Sequence, residues 1–354
     1  MSALLVYGVA GFTGALVSRE LARRGVAHLA AGRRAEAVDA HVRSVDALGD
    51  VTGKAAGRAF GLDHPAQLAA GLDGVRVVLN CAGPFGRTAA PLAAACIARG
   101  IHYLDLSGEV AEHASLLDWG DAAAAAGMML LPGVGFGVVP TEAAAVLAVE
   151  RLGGHANKIV IAYETRGGAS RGTLETVLRG IHLAGTVRRN GRLEAALPGA
   201  WRHRLELGGG QALVVYNPWR ADLVSAHVST GVPEIETYAT FPAIARFLMR
   251  SPRLMSSGFG RWLVERIIRS APEGPSPKDL ARGATRVLAV AEGDGGQRAE
   301  VRIHGPEAYV FTARSAAAIA ERVLHGAVRP GFATPAQVLG AGWMRELEGV
   351  EVQA

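Results

Sequence analysis

Seven residues near the start of the chain restrict its fold more than any others. Gly8-Val9-Ala10-Gly11-Phe12-Thr13-Gly14 follows the apolar run Ala3-Leu4-Leu5-Val6-Tyr7 and opens a segment with Leu16, Val17, Glu20 and Leu21 at helical spacing. A glycine loop between a strand and an amphipathic helix is the first turn of a βαβ unit. Its glycines allow a tight turn, close backbone approach to a bound group and close packing of helix on strand. The free N–H groups and the dipole of the helix N-terminus favour an anion there. The glycines recur at every third residue, a variant of the usual spacing. In this context Gly8, Ala10, Gly11, Phe12, Thr13 and Gly14 form a dinucleotide-binding fingerprint.

The first 135 residues continue the alternation. Strands are expected at Ala3–Tyr7, Ala27–Ala31, Ala56–Leu62, Val75–Asn80, Ile101–Leu106 and Met128–Leu131. Helices are expected at Phe12–Arg24, Ala35–Leu48, Ala89–Arg99 and Val110–Ala126. Near-continuous apolar strands alternating with such helices mean a parallel sheet covered on both faces. The pattern changes near residue 155. Lys158–Thr165, Arg202–Leu207, Ala212–Val215 and Val224–Thr230 read as strands, Thr173–Ala184 as a helix, and Arg286–Glu292 with Arg298–His304 as a hairpin. Phe241–Ser270 is helical and rich in Arg, Pro272, Pro275 and Pro277 mark a linker, and Ala308–Leu324 reads as a long helix, Ala-rich and apolar on one face. The expected class is therefore α/β: a Rossmann-type parallel sheet with a second α+β domain on a mostly antiparallel sheet.

The second strand ends in Gly32-Arg33-Arg34. An NAD site expects an acid there for the ribose 2′-hydroxyl, and an NADP site expects a cation for the 2′-phosphate. Arg33 and Arg34 with no acid predict NADP(H). Asp63, after the third strand, either borders the adenine or caps a helix. The fourth strand ends in Asn80-Cys81-Ala82-Gly83-Pro84-Phe85-Gly86, whose small residues Cys81, Ala82, Gly83 and Pro84 would let a dinucleotide cross close to the backbone. Cys81 and Cys96 have no His beside them in sequence and read as buried structural thiols.

Composition excludes several classes. A net charge of +5 with scattered arginines gives no basic tail for nucleic acid. Two cysteines in so long a chain, and an opening without a basic leader, read as cytoplasmic. The apolar stretch 122–149 is broken by glycines and prolines, so it is not expected to span a membrane. No His or Cys spacing suggests a metal, and there is no Gly-x-Ser-x-Gly elbow or Walker lysine. Ser107 stands four residues after Tyr103 and Gly167 four after Tyr163, so no Tyr-x-x-x-Lys pair is present.

The glycine loop, the segment Asn80-Cys81-Ala82-Gly83-Pro84-Phe85 and the segment His102-Tyr103-Leu104-Asp105-Leu106-Ser107-Gly108-Glu109 resemble the saccharopine dehydrogenase-like oxidoreductases, and among them the bacterial trans-acting enoyl reductases. The similarity continues weakly at Ser170–Thr173, Asn217–Trp219, Ser229–Pro233 and Pro330–Pro335. The resemblance implies an NADP-binding Rossmann domain made from residues 1–135 and about 305–354, with a substrate domain of about 136–304 inserted between them. The family pattern Gly-Phe-Asp is Gly135-Phe136-Gly137 here, and its Gly-Gly-Thr is Arg171-Gly172-Thr173, so the substrate does not carry over.

Candidates for a proton donor or polariser are Tyr103, Asp105, Ser107 and Glu109 in the first domain, and Tyr163, His182, Tyr216, His227 and Tyr238 in the second. For Asp105, His227 and Tyr163 a structural role competes with the catalytic one. The leading function is NADPH-dependent reduction of a conjugated C=C, enoyl-type, or a related unsaturated carbonyl. Reduction of C=N, as in an imine reductase or amino-acid dehydrogenase, stands beside it because Arg166, Arg171 and Arg220 could hold carboxylates. A non-catalytic NADP-binding sensor or scaffold is the third reading. The expected partner is a small-molecule or acyl-type substrate, free or on a carrier protein, and a homodimer is a compatible state. Residues 241–270 read as a packed helix pair, a lid or a peripheral membrane contact.

Overall fold

The computed structural model describes residues 3–49 and 51–354. These divide into two compact units, one running through Val139 and including Tyr309–Gly340, the other comprising Pro140–Ala308 and Ala341–Ala354.

In the first unit β1 (Leu4–Tyr7) leads through the glycine loop into α1 (Phe12–Arg23), then β2 (His28–Gly32), α2 (Ala35–Asp46), β3 (Ala55–Ala59), α3 (Pro65–Gly71), β4 (Val77–Asn80) and α4 (Phe85–Arg99). Next come β5 (His102–Asp105), α5 (Val110–Leu117), α6 (Gly120–Ala125) and β6 (Met129–Leu131). The strands pair in parallel in the order β6-β5-β4-β1-β2-β3. Strands β1, β2, β4 and β6 are buried throughout, as a sheet covered on both faces requires, and Leu5, Tyr7, Val78, Tyr103 and Leu130 share one core cluster with Leu92 and Ala93 of α4. Helix α1 buries Gly14, Val17, Ser18, Leu21 and Ala22, the stripe its spacing predicts. The expected single helix 110–126 is two helices. They break before Gly120, where an added Cβ would meet Phe332 at 3.3 Å.

Helix α7 (Val139–Arg151) carries the chain into the second unit. There follow β7 (Lys158–Arg166), α8 (Arg171–Gly180), β8 (Gly185–Arg189), β9 (Arg192–Ala196), β10 (Arg202–Glu206), β11 (Gln211–Tyr216), α9 (Asp222–Thr230) and β12 (Glu234–Ala239). Three helices, α10 (Ala243–Met249), α11 (Pro252–Ser256) and α12 (Gly258–Ser270), precede α13 (Pro277–Arg282), β13 (Ala284–Glu292) and β14 (Arg298–Pro306). Strand β7 is central. It pairs antiparallel with β13 over its whole length and parallel with β12, the one parallel pair in a sheet ordered β10-β11-β12-β7-β13-β14. The β8–β9 hairpin turns on Asn190 and Gly191, both at positive φ, as a tight two-residue turn requires.

Two expectations are corrected here. Val224–Thr230 is not a strand but most of α9. Its alternating Val224, Ala226 and Val228 imitate a half-buried strand, but Asp222 through Ala226 are all buried, and a segment buried on several sides carries no clear period. Residues 241–270 form three helices, not a pair. Pro252 starts α11, and Ser257 caps α12 by accepting from the Gly260 N–H at 3.0 Å.

The chain returns through α14 (Ala308–Leu324), β15 (Gly331–Phe332) and α15 (Pro335–Leu339). Helix α14 buries Phe311, Ala316, Ile319 and Val323; the Ser315 hydroxyl donates to the Val134 carbonyl at 2.9 Å, and β15 extends the parallel sheet beside β6. The last residues depart from the expected assignment of 305–354 to the nucleotide domain. Strand β16 (Glu351–Gln353) pairs antiparallel with β14, because the open edge of β14 offers hydrogen-bonding groups to it, and residues 341–354 belong to the second unit.

Candidate functional site

The glycine loop is built for close backbone approach. Gly8 has φ +97°, and a Cβ on it would lie 2.8 Å from the Ala82 nitrogen; on Gly14 it would lie 2.3 Å from the Gly8 carbonyl oxygen. Any larger residue would push apart β1, α1 and the end of β4. The Gly11 N–H donates to the Gly8 carbonyl at 3.0 Å, and the Gly8 N–H to Ala31 at 2.8 Å, which fixes the loop over the ends of β1 and β2. Gly11 is the N-cap of α1, no side chain caps that helix, and no acid stands in its first turn. Ala10 and Gly11 are exposed and Phe12 and Thr13 half-buried. Strand order reverses between β1 and β4, the position where open parallel sheets bind ligands. A pyrophosphate fits this cradle: the space a Cβ would fill is backbone, and the helix terminus presents donors without a competing carboxylate.

At the end of β2, Arg33 and Arg34 are exposed and Arg34 is the N-cap of α2. Asp63 is exposed beyond β3; the N-cap of α3 is His64, so Asp63 does not cap that helix. The Tyr7 hydroxyl donates to the Phe60 carbonyl at 3.1 Å. Burial raises its pKa, the Arg33 charge lowers it and the Asp63 charge raises it, so both charges act at this end of the sheet. The arginines lie where a 2′-phosphate of NADP would need cations.

The ends of β4, β5 and β6 are tied by one buried network. Asn80 Nδ2 donates to Tyr103 and Thr88 hydroxyls, both at 3.1 Å, and its Oδ1 accepts the Ala82 N–H at 3.0 Å. Tyr103 donates to Asp105 Oδ2 at 2.9 Å. Asp105 Oδ1 accepts from the Ser107 N–H, the Ser107 hydroxyl and the Gly133 N–H at 2.9, 2.6 and 3.1 Å. Burial raises the Asp105 pKa against the pull of these donors, and raises Tyr103 well above the usual phenol value. Tyr103 and Asp105 are wholly buried. The geometry thus makes these two candidates positioning residues that hold the loops after β4, β5 and β6. Ser107 belongs to the same network, and Glu109 accepts the Gly108 N–H. Gly83 lies open to its surroundings, and the Gly83–Pro84 bond is cis. Cys81 and Cys96 are buried free thiols whose pKa burial pushes up.

In the second unit Tyr163, on β7, accepts from Asn217 Nδ2 at 3.1 Å, and the Arg220 guanidinium lies 4.7 Å from its ring centroid. Arg220 in turn pairs with buried Asp222 at 2.8 Å. His227, expected on a strand, sits in the last turn of α9, where Nδ1 meets the Val232 carbonyl at 2.9 Å and ties off the helix end. Tyr216 donates to the Thr186 carbonyl and Tyr238 to Glu236. His182 keeps Nδ1 buried with no hydrogen-bond partner among the described residues. Asn80 and Asn217 fall inside segments that carry the family resemblance but are not among the sequence candidates for the site, since a lone asparagine carries no periodic or spacing signal. Among the described residues no group of three His, Cys, Asp or Glu could hold a metal ion, and no helix is long and apolar enough to cross a membrane.

Residues 4–131 match the family model described as the saccharopine dehydrogenase NADP binding domain. The chain is 31% identical over 164 residues to a saccharopine dehydrogenase-like oxidoreductase of Bos taurus, a match covering 43% of this chain and 38% of that protein. It is 34% identical over 143 residues to a trans-acting enoyl reductase of Mycobacterium leprae, covering 39% and 33%. The matched part thus spans less than half the length of these relatives. The solved saccharopine dehydrogenase (L-Glu forming) of Saccharomyces cerevisiae superposes with a TM-score of 0.63 over 99% of both chains at 13% identity, a likeness of fold.

Proposed function

We propose that this chain, whose residues 4–131 match the saccharopine dehydrogenase NADP binding domain model, is an NADP(H)-dependent reductase of a conjugated C=C in an enoyl-type or related unsaturated carbonyl substrate. The observation that carries the cofactor half is the end of β2, where Arg33 and Arg34 stand exposed with no acid beside them. Support for the substrate half comes from the similarity to trans-acting enoyl reductases. Gly8, Ala10, Gly11, Phe12, Thr13 and Gly14 would hold the pyrophosphate, and Cys81 to Pro84 would lie along the path of the dinucleotide.

Bound there, NADPH would supply a hydride for the β-carbon of the substrate. The chain must then stabilise negative charge on the carbonyl oxygen and deliver a proton to the α-carbon. Tyr163 is kept as a candidate for that proton on its hydrogen bonding within the second unit alone. Asn217 donates to its oxygen, and the Arg220 cation lies on its ring face. Tyr103, Asp105 and His227 are committed elsewhere.

The C=N reading loses its support in the arginines. Arg166 pairs with Glu164, Arg171 donates twice to the Ala271 carbonyl, and Arg220 pairs with Asp222. The test is NADPH consumption against a panel of α,β-unsaturated acyl thioesters and a panel of cyclic imines. Turnover of enoyl thioesters, with Tyr163→Phe lowering kcat while NADPH affinity is kept, is the expected result. Turnover of imines alone, or NADPH binding with no turnover of either panel, refutes the reading.

A further inference from the structure

The net positive charge of this chain is concentrated in one segment. Residues 241–270 hold six arginines and one acid, Glu265, a net +5 equal to that of the whole chain, so the remaining residues balance. Glu265 is already paired with Arg269 at 2.7 Å. The side chains of Arg250 and Arg253 have no hydrogen-bond or ion-pair partner among the described residues.

The same segment exposes large apolar side chains. Ile244 is 66% exposed, Phe247 58%, Phe259 62% and Trp262 54%. Their helices have already satisfied their packing requirement: Leu248, Met249, Met255, Val264 and Ile268 form the buried side against Leu178, Ile181 and Val215. The outward residues are therefore surplus to the core. On α12 they form a stripe at helical spacing, Phe259, Trp262, Arg266 and Arg269. The rings of Phe259 and Trp262 stack with centroids 5.8 Å apart, and Arg266 lies 5.9 Å from the Trp262 ring. Beside α10 is a cleft of roughly 420 Å³ lined by Leu213, Val215 and Phe247 together with Arg202, Arg246 and Arg250. Apolar walls with three arginines suit an acyl chain ending in a phosphate.

We propose that α10–α12 dock on the surface of an anionic phospholipid bilayer, the arginines meeting lipid phosphates and Phe259 and Trp262 entering the headgroup boundary. Aromatic and Arg residues side by side on an outward helix face are the chemistry of that interface. A second copy of this chain is a poorer occupant, because a self-facing surface with six arginines repels itself. The inference stands on this surface alone and does not depend on the reductase reading.

The test is co-sedimentation of the full chain with vesicles of phosphatidylcholine, and of phosphatidylcholine mixed with phosphatidylglycerol. Binding is expected only to the anionic vesicles, and it should weaken with added salt. Each arginine near such a surface contributes a factor of about five, so Arg250→Gln with Arg253→Gln should weaken binding about 25-fold. Phe259→Ala with Trp262→Ala should weaken it further, while Arg298→Gln on β14 leaves it unchanged. All of these side chains are outward, and equal melting temperatures confirm intact folds. No binding to anionic vesicles, equal binding to neutral ones, or undiminished binding by either double variant overturns the inference. So does binding of a purified acyl carrier protein, abolished by the arginine variant, with vesicles ignored.

Discussion

Acid should loosen the nucleotide domain through a buried pair of histidines. Ser18 on α1 lies with its hydroxyl 2.7 Å from Nε2 of His28 on β2 and 2.7 Å from Nε2 of His41 on α2. His28 Nδ1 lies 3.1 Å from the Val26 carbonyl, an acceptor only, so that nitrogen carries the proton. Its Nε2 then accepts from Ser18, whose oxygen accepts from His41. The chain needs His28 neutral, whereas His41 keeps its Nε2–H donor in either protonation state. Burial lowers the His28 pKa, and burial followed by the charges of Arg19 and His28 lowers His41 to about 4 from 6.5. Unfolded His41 therefore binds a proton that folded His41 refuses between those values. Its stabilising contribution is full above the unfolded pKa and is lost as pH falls through the folded one. At about pH 5 the loss is about 2 kcal/mol, out of about 3 kcal/mol in total. His41→Gln keeps a donor toward Ser18 and removes the titration. Urea unfolding followed by circular dichroism at about pH 7.5 and about pH 5 should show wild type losing about 2 kcal/mol more than the variant. Apart from His28, whose titration is coupled to His41, the remaining groups titrate alike in both proteins, so equal losses would refute the assignment.

Replacing Arg33 by Ala should weaken NADPH binding about 10- to 100-fold in titration calorimetry and leave NADH binding nearly unchanged, the effect of one charged hydrogen-bond partner. Gly14→Ala puts a Cβ 2.3 Å from the Gly8 carbonyl, so it should abolish measurable NADPH binding and cost about 1–3 kcal/mol of stability in urea. Asp105→Ala strands two backbone N–H groups and two hydroxyls and should cost at least about 3 kcal/mol, whereas a catalytic Asp105 would lose kcat with its melting curve intact. A fragment ending at Val139 lacks α14, which buries Phe311, Ile319 and Val323, and should melt without cooperativity; a sharp transition with NADPH bound would show that the domain is complete without its return segment.

The parallel half of the molecule was legible in the chain itself, because its determinants are local. An apolar strand, three glycines and an amphipathic helix state a βαβ turn within two dozen residues, and Arg33-Arg34 state the cofactor within two more. Helix α14 was readable to its last residue, since its apolar stripe is long and unbroken. In the second unit the long strands β7, β13 and β14 are legible, but β8, β9 and β12 are not, because they are short or carry charge against the usual rule. Glu234 and Glu236 lie inside β12, made tolerable by Arg189 at 2.9 and 2.8 Å, and a strand with two acids does not look like one until its partner is in place. The candidate site divides in the same way. Glycines reveal themselves by what backbone must pass close to them, a local demand. Whether Tyr103 and Asp105 face a substrate or a core, and whether Asn217 and Arg220 reach Tyr163, depends on residues tens of positions away, and only the folded sheet brings those into contact.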